Sequence, residues 1–230
     1  GIYEYIAGGA GDDITLNRNR SAFDAIGMNK RVLRKFTQGT TAVTLSGDTF
    51  AWPMLVAPLA YQSLLHPEGE LATVEAVNAV NMGMLTSTLS TVPLEDIAAQ
   101  QQTPKWFQLY MQPDPEHTLD LVRRAENAGY TAIVVTVDAP VSGLRNRQQR
   151  SGFSLPSSVV AANLVNYPTS KTQSLSPGQS VLLNGLMADA PDWDDIQWLR
   201  QHTKLPVWIK GISHPQDAIL ASQSGCAGIV

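Results

Sequence analysis

Six short runs of apolar and β-branched residues constrain this chain more than any other feature of its sequence. They cover residues 53–57, 82–85, 106–110, 132–137, 206–209 and 227–230. In each run the apolar residues are continuous rather than alternating, which marks a strand buried on both faces. None approaches the ~20 residues that a membrane-spanning helix needs. Helical patterns lie between the runs. Leu71, Val74, Val77 and Val80 recur at three-residue spacing after the acidic start Glu68-Gly69-Glu70, which suits a helix N-terminus. Leu119, Val122 and Ala125 line a second helix, which Gly129 can end in the left-handed conformation. Trp193, Ile196 and Leu199 line a third, and Ser213 with Gln216 fits a capping box before a fourth that ends at Gly225.

Strand and helix therefore alternate, and right-handed crossovers turn that order into a parallel sheet covered by helices. An internal echo supports the reading: Ala125-x-x-x-Gly129-x-x-x-Ile133-Val134 is matched by Ala221-x-x-x-Gly225-x-x-x-Ile229-Val230. Five strands and the start of a sixth can be counted, so the chain fits part of a (β/α)8 barrel, which needs eight strands in ~250 residues. An open, doubly wound sheet of six strands is the alternative. The spacing breaks after the fourth strand. Residues 157–191 are rich in Ser, Asn, Pro and Gly, and so long a stretch with little periodicity is expected to be a functional or mobile insertion.

Composition narrows the function. With 16 Lys and Arg against 20 Asp and Glu in 230 residues, the formal net charge is -4, so binding of nucleic acid through bulk positive charge is not expected. One cysteine rules out a disulfide framework. Charged residues at 16% and hydrophobic residues at 43% suit a large core with many buried elements. The first residues lack a basic start and a long apolar stretch, so no signal peptide is expected and a cytoplasmic location is. The sequence lacks an initiator Met and stops inside an apparent strand, as a trimmed chain would.

In either architecture, sites gather at the C-terminal ends of the strands. Those ends carry Pro58, Leu59 and Ala60; Ser87; Gln108 and Tyr110; Thr136 and Asp138; and Lys210. Polar side chains in five such places, on otherwise apolar strands, suggest a lined pocket. A long cation ending an apolar strand, as Lys210 does, needs an anion beside it. Arg145 follows the fourth strand and suits a carboxylate or phosphate, whereas Arg147 and Arg150 are expected to be solvated surface residues. No phosphate-loop or dinucleotide glycine motif is present. Gly8-Gly9-Ala10-Gly11 follows no strand and is expected to be a turn or helix cap. His66, His117, His202 and His214 lack metal-ligand spacing, so no metal is expected; His66 is expected to cap a helix.

Taken together, these segments resemble the FMN-dependent α-hydroxy acid oxidase and dehydrogenase family, the group of glycolate oxidase, lactate oxidase and flavocytochrome b2. The resemblance rests on Tyr3-Glu4-Tyr5-Ile6-Ala7-Gly8-Gly9-Ala10, Val56-Ala57-Pro58, His66-Pro67-Glu68-Gly69-Glu70, Trp106-Phe107-Gln108-Leu109-Tyr110, Thr136-Val137-Asp138-Ala139-Pro140 and Leu205-Pro206-Val207-Trp208-Ile209-Lys210-Gly211. Their order and spacing agree along nearly the whole chain, least between residues 157 and 191. The resemblance implies a TIM barrel that oxidises an L-2-hydroxy acid to the 2-oxo acid with FMN as cofactor. It implies that Pro58, Leu59 and Ala60 lie against the flavin ring, that Ser87, Gln108 and Thr136 bond its polar edge, and that Lys210 faces the charge built by reduction. Tyr5 and Arg145 would bind the substrate carboxylate, and Tyr110 its hydroxyl. Asp138 would orient the catalytic base, and Leu89 would line the side-chain pocket, leaving room for more than glycolate. The partner is a small 2-hydroxy carboxylate, and the complete protein is expected to be a homotetramer.

One departure qualifies the resemblance. In this family the catalytic His and a second Arg lie in a Ser/Thr-Asn-His-Gly-x-Arg motif just after the strand matching residues 227–230, and none of the four histidines here corresponds to that base. About twenty N-terminal residues of the usual family pattern are missing too. The 230 residues are therefore expected to be roughly two-thirds of a family member and inactive alone. The alternative is a non-catalytic fragment acting as a flavin-binding or assembly module. A third reading, another FMN or phosphate-ligand barrel of the type 2 isomerase kind, fits Tyr5, Tyr110 and Arg145 less well.

Overall fold

The computed structural model describes residues 1–168, 175, 176, 178–188 and 190–230. In chain order its α-helices are α1 (Ile2–Ala7), α2 (Ile14–Asp24), α3 (Glu70–Ala79), α4 (Leu94–Gln100), α5 (Pro115–Asn127), α6 (Asn146–Arg150), α7 (Trp193–His202) and α8 (Pro215–Gln223). The strands are β1 (Val43–Leu45), β2 (Asp48–Phe50), β3 (Leu55–Val56), β4 (Gly83–Ser87), β5 (Lys105–Leu109), β6 (Ala132–Thr136), β7 (Val207–Lys210) and β8 (Gly228–Ile229). They fall into two units, one of Gly1–Thr41 with Ser142–Ser157 and one of Ala42–Val141 with Ser158–Val230.

The second unit holds a six-stranded sheet in the order β3-β4-β5-β6-β7-β8, parallel throughout. That order never reverses. A doubly wound sheet reverses at its switch point, so the sheet is the half-barrel of a TIM-type fold. Both faces of the central strands β4, β5 and β6 are buried, as their continuous apolar runs require, whereas β3 and β8 at the sheet edges are not buried and β7 is half-buried on one face. Phe107, Leu109, Ile133, Val135, Val207 and Ile209 face outward into one core with Leu121, Val122, Leu199 and Ala221 of the helices. Leu85, Trp106, Ala132 and Val134 form the opposite, inner face with Phe50. Each large side chain so buried contributes about 1.5–3 kcal/mol.

An antiparallel hairpin, β1–β2, packs against the inner face. Its turn is Ser46-Gly47, with both residues at positive φ, as a two-residue hairpin turn requires. Trp106 Nε1 donates to Asp48 Oδ2 at 2.7 Å and Trp208 Nε1 to Ser46 Oγ at 2.9 Å. Phe50 meets the Trp106 ring edge-on at 5.5 Å. Packing here is tight enough that a Cβ on Gly83 would sit 2.5 Å from Phe50 Cε1.

Helix ends follow local chemistry. The Ala–Gly echo is one hydrogen-bonded motif used twice. Tyr130 N donates to Ala125 O and Cys226 N to Ala221 O, both at 3.0 Å, with Gly129 and Gly225 left-handed. Helix α3 ends the same way, through Met82 N to Val77 O at 2.9 Å and left-handed Asn81. Val80 therefore falls past the helix and is exposed rather than core. The cap of α8 is His214, not Ser213: Pro215 takes the first helical position, and His214 Nδ1 accepts from Gln216 N at 3.2 Å. His66 does not cap α3, whose N-cap is Gly69 without a side-chain bond; its Nδ1 accepts from Glu68 N at 3.2 Å in the turn before the helix.

Glu70 opens α3 yet is fully buried. Its carboxylate accepts from Gln62 N (3.2 Å), Thr91 N (3.0 Å), Thr91 Oγ1 (2.6 Å) and Val92 N (3.1 Å). A buried charge is tolerable only with such satisfaction. It ties the β3–α3 loop to the β4–α4 loop.

The connection from β6 to α7 contains α6, a 3₁₀ turn at Ala162–Leu164 and a π-helical segment at Val181–Leu186. The insertion expected over 157–191 is thus partly built of regular turns. Residues 169–174, 177 and 189 within it lie outside the described residues. Arg124 of α5 anchors it, with Nη1 donating to Asn163 O at 3.0 Å while Nε binds Glu95 Oε1 at 2.7 Å.

In the first unit Arg147 is not the solvated residue expected. It bonds Glu4 and Asp13, because the α6 register points its guanidinium at two carboxylates. Gly8 ends α1, its N–H donating to Glu4 O at 3.1 Å. Among the described residues no helix is long and apolar enough to cross a membrane.

Two predictions follow from these contacts. Glu70→Ala strands three backbone amides and should lower stability by about 3 kcal/mol or more in urea titration. The Glu95 carboxyl is held below its usual 4.5 mainly by its hydrogen bond to Arg124. Its stabilisation is present above the ordinary glutamate value and is lost as pH falls through the lowered one. The Tm difference between the protein and Glu95→Gln should shrink over that acid range, and stay small throughout because the pair is half-exposed.

Candidate active site

Inner-facing residues alternate along each strand, so Ser87, Gln108 and Thr136 fall on the same face as Leu85, Trp106 and Val134, one step nearer the C-terminal ends. Register brings them together: Ser87 pairs with Gln108 and Thr136 with Lys210. Their side chains form a continuous chain. Ser87 Oγ donates to Gln108 Oε1 at 3.3 Å, and Gln108 Nε2 donates to Thr136 Oγ1 at 3.0 Å. All three are buried, Gln108 with 1% of its surface exposed. Lys210 follows on β7, half-buried, with Nζ 4.0 Å from Asp138 Oδ1. Gly211, at φ 109°, allows that approach, because a Cβ there would lie 2.5 Å from Asp138 Cβ.

Leu89 and Tyr110 flank this row. Leu89 N donates to Ser87 Oγ at 3.1 Å, and Tyr110 N to Thr88 Oγ1 at 3.0 Å. Thr88 Oγ1 in turn donates to Gln108 O at 2.7 Å, stapling the ends of β4 and β5. Pro58, Leu59 and Ala60 leave β3, and Leu59 O accepts from Gln62 Nε2 at 3.4 Å. Leu59 is exposed. Strand ends thus gather a hydrogen-bonded row, Ser87, Gln108 and Thr136, and a neighbouring ion pair, Asp138 and Lys210, set beside it by the β6–β7 register.

Tyr5 and Arg145 belong to the first unit, which brings them together. The Arg145 guanidinium carbon lies 5.1 Å from the Tyr5 ring centroid, and one Nη donates to Tyr5 O (2.8 Å) and Gly8 O (2.7 Å). Phe153 stacks on the Tyr5 ring, with the ring centroids 5.0 Å apart.

Two residues that shape the site escaped the sequence reading. Glu70 stood in the His-Pro-Glu-Gly-Glu segment, where it reads as an ordinary helix start. Asn163 carried no signal, because its partners are 69 to 76 residues away.

The donor set suits a flavin. A flavin's pyrimidine edge alternates acceptors with a donor, and an amide flanked by hydroxyls can meet both kinds. A lysine at the end of that row supplies a cation where negative charge would develop. A family model described as FMN-dependent dehydrogenase matches residues 1–230. The chain belongs to that family. It is 45% identical to an L-lactate oxidase of Alicycliphilus denitrificans over 230 residues, all of this chain and 63% of the relative. It is 44% identical to a 4-hydroxymandelate oxidase of Amycolatopsis orientalis, again over the whole chain and 64% of that protein. Among solved structures, a mandelate oxidase variant with (S)-mandelic acid superposes with a TM-score of 0.85 at 41% identity, over 99% of this chain and 62% of that one. Another structure of a mandelate oxidase variant carries a C4a-OH-FMN adduct. This member of the FMN-dependent dehydrogenase family therefore spans about 63% of the length of the relatives it matches.

The Gly211 contact is directly testable. Gly211→Ala should destabilise the protein by about 1–3 kcal/mol in chemical denaturation, since both the left-handed φ and the Asp138 contact oppose a Cβ.

Proposed function

We propose that the protein oxidises a small L-2-hydroxy acid of the lactate, glycolate or mandelate kind to the 2-oxo acid, using FMN. The observation that carries the reading is the buried Ser87–Gln108–Thr136 chain ending beside Lys210, in a chain of the FMN-dependent dehydrogenase family. Bound FMN supplies the two-electron acceptor. The strand-end row does the holding. Gln108 both donates and accepts, Ser87 and Thr136 adapt their hydroxyls, and the backbone of Pro58, Leu59 and Ala60 lies against the ring. Lys210 stabilises negative charge from a fixed position, at no reorganisation cost.

The resemblance to the family supplies the substrate roles, and the side-chain chemistry agrees with them. Arg145 has five N–H donors; two carbonyls hold one end of its fork, and the rest suits a carboxylate, with the Tyr5 hydroxyl as a second donor. Tyr110 bonds the substrate hydroxyl, and Leu89 borders the side chain. Asp138 orients the proton acceptor. That acceptor is none of the four histidines. His66 and His214 accept from nearby amides, His117 stacks on Tyr167 at 4.7 Å, and His202 Nδ1 lies 2.8 Å from Trp198 O. The same reading carries assembly as a homotetramer in the cytoplasm, which light scattering and fractionation check.

The test is anaerobic mixing of the FMN-loaded, full-length protein with L-lactate, glycolate and (S)-mandelate. Loss of the flavin's visible absorbance with at least one acid, and not with D-lactate, is expected. Bound FMN that none of these acids bleaches would leave a flavin-binding module and overturn the proposal. Gln108→Leu should weaken FMN binding about tenfold in a fluorescence titration, through loss of one buried hydrogen-bonding amide.

A further inference from the structure

We propose that Asn163 is a positioning residue for the flavin-facing end of β4, acting through Ser87 and Leu89. This rests on the reading that Ser87 bonds the flavin edge. Asn163 sits in the 3₁₀ turn Ala162–Leu164 of the β6–α7 connection and is 1% exposed. Its amide reaches back across the chain. Nδ2 faces Ser87 O at 3.3 Å, Thr88 O at 3.2 Å and Ser90 Oγ at 2.9 Å, while Oδ1 accepts from Leu94 N at 2.8 Å.

Those partners bracket one loop. Ser87 ends β4, Thr88 follows it, and Leu94 begins α4. The residue before Leu94 is Pro93, which makes no side-chain cap. Helix α4 is thus capped in trans by a residue 69 positions downstream, and the same amide holds the carbonyls at the end of the preceding strand. The loop between carries Leu89. Glu70 grips Thr91 and Val92 of that loop, and Ala162 N donates to Ser90 O at 2.9 Å. Ser87 O accepts from Ser90 N at 3.1 Å as well as from Asn163 Nδ2, and the side-chain hold from Asn163 adds to the β4–β5 register in setting the backbone from which Ser87 Oγ meets Gln108.

A residue that merely fills space would need no donor here. Asn163→Asp keeps the volume and the bond to Leu94 N but turns a carboxylate oxygen toward two carbonyls. Its effect on the flavin should pass through Ser87, so the two residues should couple rather than add.

The experiment is a double-mutant cycle of Asn163→Asp and Ser87→Ala in the FMN-loaded, full-length protein. The readout is the flavin midpoint potential from a reductive dye titration without substrate. Each single variant should shift the potential negative, because each weakens bonding to the reduced ring, and the double variant should shift no further than Ser87→Ala alone. In the apo-protein, amide hydrogen exchange over residues 87–94 should speed up about tenfold in Asn163→Asp, as expected for one lost hydrogen bond. Asn163→Ala carries the same cycle if the Asp variant does not fold. Additive shifts, or a lowered Tm with an unchanged potential, would overturn the proposal. A protein that binds FMN but is bleached by no hydroxy acid would instead remove the function proposed above and leave this cycle readable.

Discussion

A parallel strand covered on both faces has nowhere to place a polar side chain except its ends, and there only if the polar atoms satisfy one another. This constraint organises the molecule. The inner face is apolar from Phe50 and Trp106 up to Val134, and then changes at the next inward-facing position, two residues on, to Ser87, Gln108 and Thr136. Left unpaired, each of these buried groups would cost about 1–3 kcal/mol. Linked through Gln108, they form a stable polar layer that can exchange its internal bonds for those of a ligand with matched donors and acceptors.

That layer is held by charges and amides placed behind it. Glu70, fully buried, pins two loops with four hydrogen bonds. Asn163 caps α4 and holds the end of β4 from the far side of the long connection. Arg124 fixes the backbone of Asn163 from α5. The hairpin β1–β2 packs the opposite part of the inner face through two indole N–H bonds. The polar strand ends are therefore supported by groups drawn from along the second unit, which is how a barrel fold gives precision to residues that individually sit at the mouths of loops.

Legibility in the sequence tracked the range of the physics involved. The strands were readable because continuous apolar runs have one good explanation. The turns after α5 and α8 were readable because Gly129 and Gly225 each complete a motif spanning six residues or fewer. The equivalent turn after α3 was missed because Asn81, not glycine, takes the left-handed position. The hairpin was missed although Ser46-Gly47 is a turn signal, since its strands are only three residues each. Ser87, Gln108, Thr136 and Lys210 stood out as polar residues at apolar strand ends. Arg147 did not, because only the fold of its own unit brings Glu4 and Asp13 to it.

By itself, then, the sequence determined the alternation of buried strands and helices, the places where two of the helices stop, and the polar identity of the strand ends, all consequences of local periodicity and backbone sterics. Tertiary structure alone decided the unreversed strand order, the joining of three strand-end side chains into one hydrogen-bonded row, the pairing of Asp138 with Lys210, and the use of Asn163 as a cap for a helix 69 residues before it. Those arrangements depend on register between strands and on contacts between distant segments, and a one-dimensional pattern carries neither.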